Sequence, residues 1–102
     1  MIARLWHGWT SPENAVAYEE FLRTTMFPSM HGVDGFLGAD LLSRVDGDEI
    51  AFVTITRFES LEAVRAFAGD DYEVAVVEPE ARALLSRFDE RSTHYDLVLA
   101  DQ

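Results

Sequence analysis

The stretch FLGADLLSRVDGDEIAFVTITR, Phe36–Arg57, decides the fold. Two runs of strand formers flank Val45-Asp46-Gly47-Asp48, and Asp46-Gly47 suits the centre of a two-residue type I′ hairpin turn. That turn pairs Val45 with Asp48, so that Arg44 faces Glu49, a favourable cross-strand charge pair, and Leu41 faces Phe52. Strand side chains alternate, so the register sorts the hairpin into two faces. One carries Leu37, Ala39, Leu41, Ile50, Phe52 and Thr54; the other carries Phe36, Leu42, Ala51, Val53 and Ile55. A sheet with one wet side should read apolar on one face and polar on the other, whereas this one is apolar on both.

Towards the N-terminus, Ile2, Leu5, Trp6 and Trp9 mark a first strand ending at Thr10. Ser11 is placed as an N-cap with Pro12 at the tolerated first helical position; Thr10 with Glu13 offers a capping box one residue earlier. Ala15, Tyr18, Phe21/Leu22 and Met26 then recur at helical spacing, and Pro28 is expected to end the run. Gly32 and Gly35 mark a loop before the hairpin. Beyond the hairpin, Ser60 caps a helix over 61–68 with Leu61, Val64, Phe67 and Ala68 on one face and Gly69 at C′. Residues 70–77 have no clear period. Pro79, Glu80, Ala83 and Leu84-Leu85 predict a short third helix, and 93–100 a last strand.

The resulting order, βαββα(α)β, predicts one α+β domain over 1–102 with a ferredoxin-like antiparallel sheet. Helices in this connectivity cover one sheet face only. The other face needs a second layer, and a second copy of the chain supplies it most economically. A homodimer through the Leu42, Ala51, Val53 and Ile55 face is therefore expected.

Composition excludes several function classes. With 48% hydrophobic residues, seven Phe, three Tyr and two Trp, the chain has material for a packed core. A net charge of -11 repels nucleic acid and anionic membrane surfaces, and disfavours anionic substrates unless local arginine overrides it. With no cysteine there is no disulfide, thiolate or iron–sulfur chemistry. The N-terminus lacks a signal-peptide pattern and no apolar run reaches the roughly 18 residues of a spanning helix, so a cytoplasmic location is expected.

Four segments carry a resemblance to a known family: MIARLWHGWT (1–10), GVDGFLG (32–38), FESLEA (58–63) and THYDLV (93–98). Together they span about residues 2 to 99, and the chain resembles the antibiotic biosynthesis monooxygenase superfamily of dimeric α+β barrels. The resemblance implies a reactive pocket between the sheet and the helices of each subunit. It also implies either cofactor-free oxygenation of phenols, quinols or anthrones, or haem degradation. Carried over by position, His7 falls where haem-degrading relatives have a pocket Asn, and Phe58 where they have a pocket Trp. The stretch after the second helix, where those relatives keep an iron-ligating His, contains none over 71–77, and Phe67 replaces a His common in quinol-oxidising relatives. Haem degradation is therefore disfavoured, and no cofactor is expected.

The candidate residues follow. His7 and Trp9 share one side of the first strand. On the pocket side, His7 would be a base that ionises a phenol for reaction with molecular oxygen; otherwise it is a hydrogen-bonded strand histidine. Phe52 and Phe58, with Trp9, would shape an aromatic substrate pocket. His31, before Gly32, is either at the pocket mouth or a solvated loop residue, and Tyr72 either donates to a substrate oxygen or packs at a helix end. His94 and Asp96 share a strand side and read first as an exposed pair. The acids Asp70, Asp71, Glu73, Glu78 and Glu80 lack the EF-hand pattern, three distant histidines do not make a metal site, and no phosphate-cradling or dinucleotide motif is present. The leading expectation is a cofactor-independent monooxygenase of an aromatic or polyketide-like small molecule. The alternative is a non-catalytic binding or structural dimer.

Overall fold

A computed structural model describes residues 1–101. The elements run β1 (Ile2–Thr10), α1 (Pro12–Phe21), a π-helical turn (Leu22–Met26), α2 (Phe27–Met30), β2 (Phe36–Asp46) and β3 (Glu49–Phe58). They continue with α3 (Leu61–Ala68), α4 (Pro79–Leu84), β4 (Leu85–Phe88) and β5 (Thr93–Asp96). The antiparallel sheet has the order β2-β3-β1-β4, and β5 pairs with the first half of β1 along the same edge as β4. This is the expected α+β, ferredoxin-like architecture with one short strand added.

The hairpin keeps its expected faces on a different turn. Asp46 pairs with Glu49, Val45 with Ile50 and Leu41 with Thr54, so the loop is Gly47-Asp48 rather than Asp46-Gly47. Gly47 has φ 60 while no non-glycine among the described residues has positive φ, which fits the II′ pattern and not I′. Moving a turn by one residue moves every partner by two, and a period of two leaves both faces as they were. The expected Arg44–Glu49 pair is lost: Arg44 faces Ala51, and Glu49 instead binds Arg87 at 3.0 Å. A bulge between Phe36 and Gly38 inserts Leu37 as the extra residue. It turns Phe36 to the helix side, with ring centroids 5.8 Å from Phe58, and leaves Leu37 exposed, the reverse of the expected assignment.

Two helix ends differ in an informative way. Ser60 caps α3 as expected, its side chain accepting from Ala63 N at 3.2 Å, with Gly69 at φ 92 after the last turn. Pro28, by contrast, does not end the first helix, which continues to Met30. Proline cannot donate to the carbonyl four residues back and its ring crowds that carbonyl. The π-helical turn just ahead widens the ladder where Pro28 needs room. At the other end, β4 is only four residues long and carries no readable alternation, and the last strand stops at Asp96 rather than residue 100.

Both buried clusters lie between the sheet and the helices. One joins Ile2, Met30, Phe58, Ala63 and Val64; the other joins Tyr18, Phe21, Leu22, Phe52 and Ala81. The opposite sheet face carries Leu5 beside Ile55, His7 beside Val53 and Trp9 beside Ala51, with Leu42 next to Val53 on the far side. Among the described residues, the buried clusters that join helices to the sheet contain none of these side chains. No helix of the described residues is long and apolar enough to cross a membrane.

Candidate ligand cavity

The alternation of β1 builds the cavity floor. Arg4 pairs across to Thr56 and Trp6 to Thr54 on β3, so all four side chains point towards the helices and line the cavity. Gly8 comes next on the same side, and a Cβ there would lie 3.0 Å from Leu85 and 3.1 Å from the Trp6 ring. Its missing side chain leaves the indole room to lie along the strand, where Trp6 Nε1 donates to the Asp89 carbonyl at 2.6 Å. The walls are Tyr18, Met26 and Phe27 from the first helix and its π-turn, Phe67 from α3, and Val76, Val77 and Glu78 from the irregular strap before α4. Ser92 closes the β5 end. The cavity is narrow, with about 50 Å³ open to the centres of water-sized molecules. One water needs roughly 10–15 Å³ on that measure, so the cavity as it stands holds a few waters, and a ring system enters only if the walls part.

The polar corner of this cavity is unusual. Arg4 is 4% exposed, yet makes no ion pair with any described carboxylate. Its Nη1 donates to the Tyr72 carbonyl and to His94 Nε2 at 2.9 Å, and its Nη2 to the Val74 carbonyl at 3.2 Å. Burial pulls the guanidinium down to about 10, which leaves it charged at neutral pH. Desolvation, and then the Arg4 charge, also push the His94 imidazole below its ordinary value, with Glu73 opposing. A neutral His94 that accepts at Nε2 carries its proton on Nδ1, and that atom is buried without a partner. Ser92 Oγ is likewise buried and unpartnered. The nearby acids Asp71 and Glu73 are taken by Arg91, at 3.0 and 3.2 Å. Burial pushes the Tyr18 hydroxyl up to about 12, against a smaller opposing effect of Thr54, so Tyr18 stays neutral.

None of the six expected site residues lines the cavity. His7 lies on the open face, half-exposed, 3.5 Å from Asp89 and stacked on Trp9 at 6.4 Å. The β1 residue that faces the cavity at this level is its neighbour Trp6, so the expected pocket position of His7 is corrected by one residue, which on a strand means the other face. Trp9 is corrected with it: its Nε1 binds Asp46 at 3.0 Å and Arg87 stacks 3.9 Å from its ring. Phe52 and Phe58 are on the helix side but sealed in the core, at 1% and 0% exposure. His31 caps the end of α2 with its ring 5.3 Å from Phe36. Tyr72 contributes its carbonyl to Arg4, and its ring packs 5.0 Å from His94. Arg4, Trp6 and Ser92 were not singled out as site residues from the sequence, although the pairing of Gly8 with Phe52 on β3 places the even-numbered β1 residues on the core side.

Comparison with known proteins places the fold. No protein-family model and no curated protein sequence matches the chain. Solved structures do. The haem degrader MhuD of Mycobacterium tuberculosis, with two haems bound in its active site, superposes with a TM-score of 0.64 at 22% identity over 100% of both chains. SnoaB, a cofactor-independent oxygenase from Streptomyces nogalater, matches with a TM-score of 0.62 at 21% identity over 97% of this chain and 95% of its own. The ActVA-Orf6 monooxygenase of Streptomyces coelicolor, in complex with nanaomycin D, matches with a TM-score of 0.62 at 16% identity over 99% and 90%. The chain thus shares the ferredoxin-like α+β fold of these solved structures.

Proposed function

We propose that the chain is a cofactor-independent oxygenase of an aromatic or polyketide-like small molecule, a phenol, quinol or anthrone, and that it acts as a homodimer joined through the open sheet face. The observation that carries this reading is the cavity itself, walled by Trp6, Tyr18, Phe27 and Phe67 between sheet and helices. The same fold serves SnoaB and ActVA-Orf6, whose activities support the assignment by analogy. The chemistry needs no external reductant. An anthrone's CH2 group becomes C=O: its hydrogens leave with one atom of O2 as water and the other atom stays in the product, so the substrate supplies every electron. Glu78 is the one acidic residue among those lining the cavity, and although it is exposed to solvent we assign it the substrate proton. His7, on the opposite face, is assigned to the dimer interface instead of the expected role of base.

Oxygen uptake with a panel of anthrones and hydroquinones, in chelator-treated buffer, tests the reading. Uptake that depends on the folded protein and falls about a hundredfold in Glu78→Gln supports it. No uptake across the panel would leave a non-catalytic binding protein. The fold likeness to MhuD favours a second reading, haem binding. The expected result is no stoichiometric complex, because residues 69–78 contain no histidine. A Soret band at one haem per subunit, lost in His94→Ala, would favour haem.

A further inference from the structure

We propose that this cavity binds its aromatic ligand as an oxyanion, with the ionised phenol oxygen seated on Arg4. The inference deepens the reading of the cavity as a substrate site and does not require that the ligand be oxidised. A buried guanidinium ordinarily has a carboxylate beside it, since an unpaired charge out of water is costly. Arg4 has none, in a chain where acids outnumber bases nineteen to eight. Its three hydrogen bonds go to neutral acceptors, the carbonyls of Tyr72 and Val74 and the ring of His94. A guanidinium has five N–H donors, so Nε and the second Nη2 hydrogen keep no protein partner among the described residues.

Three further features favour an anion over a neutral ligand. Arg91 pairs with the acids of the strap, Asp71 and Glu73, and neither forms an ion pair with Arg4. The neutral His94 accepts from Arg4, fixing the guanidinium without cancelling its charge. Ser92 lines the same cavity, is 5% exposed, and has an Oγ with nothing to bond. The apolar remainder, with Trp6 and Phe67, suits an aromatic ring and keeps the local dielectric low, which strengthens a phenolate–guanidinium pair. Glu78 also lines the cavity but is exposed and makes no ion pair with Arg4, so it leaves the guanidinium charge uncancelled.

The probe is 4-nitrophenol, whose phenol and phenolate absorb at different wavelengths. Titrating it with the full chain over a pH series gives both its affinity and the pKa of the bound molecule. The expected result is a bound pKa about one unit or more below the free value, as a cation within a few ångströms produces. Arg4→Met should return the bound pKa to the free value and weaken phenolate binding at least tenfold, while His7→Ala, on the other sheet face, should change neither. If Arg4→Met fails to fold by near-UV circular dichroism, Arg4→Lys replaces it and should keep a reduced lowering. The wild-type measurement alone is decisive in one direction: an unchanged or raised bound pKa, or no binding at millimolar probe, overturns the proposal. So does a full lowering retained in folded Arg4→Met. Because oxygen uptake is not read, a phenolate-bound but unoxidised ligand would refute the proposed activity and uphold this site; oxidation of a ligand bound in neutral form would do the reverse.

Discussion

Arg4 and Trp6 look into the cavity, while Leu5 and His7, their neighbours on the same strand, look the other way. Composition does not sort the two sides. The buried side of β1 mixes Ile2 and Trp6 with Arg4, Gly8 and Thr10, the last at 0% exposure, and the uncovered side mixes Leu5 and Trp9 with His7. The difference teaches that burial here is set by what packs from above. Tyr18 and Phe21 from the first helix and Val64 from α3 seal one face of the sheet, and β1 puts on that face whatever its register dictates. The polar groups brought inside are then the ones free to recognise a ligand, and the apolar groups left outside are free to meet another sheet.

The sharpest contrast in stability comes from truncating the covered face. Phe58 is fully buried among Phe36, Phe67 and Val64, and Phe58→Ala should cost about 3–5 kcal/mol in urea unfolding through the cavity it leaves. A loss below about 1 kcal/mol would mean that this face is not the packed core. Ser60→Ala, which removes only the α3 cap bond to Ala63, should cost about 1 kcal/mol by the same assay. An unchanged midpoint would show that the cap bond is not formed in solution.

A smaller effect distinguishes the polar corner from the surface histidines. His94 sits in folded protein below its ordinary 6.5, chiefly through desolvation and secondarily through Arg4, against the opposing charge of Glu73. Between the folded value and 6.5 the unfolded chain binds more protons, so the contribution is intact above 6.5 and is lost as pH falls through the folded value. Stability measured by thermal unfolding from pH 8 to pH 5 should therefore drop less steeply below 6.5 in His94→Asn than in wild type. Parallel profiles would place His94 in solvent and loosen its hold on Arg4.

Much of the sheet was legible in the sequence. The hairpin's two faces survive a turn misplaced by one residue, because the error moves partners by two and period two forgives it. Ser60 and Gly69 delimit α3 through local bonds that depend on nothing distant. The cavity was not legible for the opposite reason: which side of β1 faces inward rests on Gly8 lying opposite Phe52, a pairing between residues far apart in sequence. Nor does any local pattern show that Arg4 will meet carbonyls of Tyr72 and Val74 in a strap with no period of its own. Pro28 misled because a π-turn absorbs it, and β4 was missed because four residues are too few to show alternation.

If the two sheet faces do different work, ligand binding on the covered face and assembly on the open one, the open face alone should govern the oligomeric state. Light scattering coupled to size exclusion, over a concentration series, tests it through Val53, which lies between His7 and Leu42 on the open face. A charge there would sit unpaired in a dry sheet-to-sheet contact, a cost beyond the roughly 0.5–3 kcal/mol of an ordinary substitution. Wild type should run at twice the chain mass, Val53→Asp as monomer or aggregate, and the exposed control Glu20→Gln as dimer. A wild-type chain that stays monomeric at every concentration, or a Val53→Asp dimer as stable as wild type, would contradict the account.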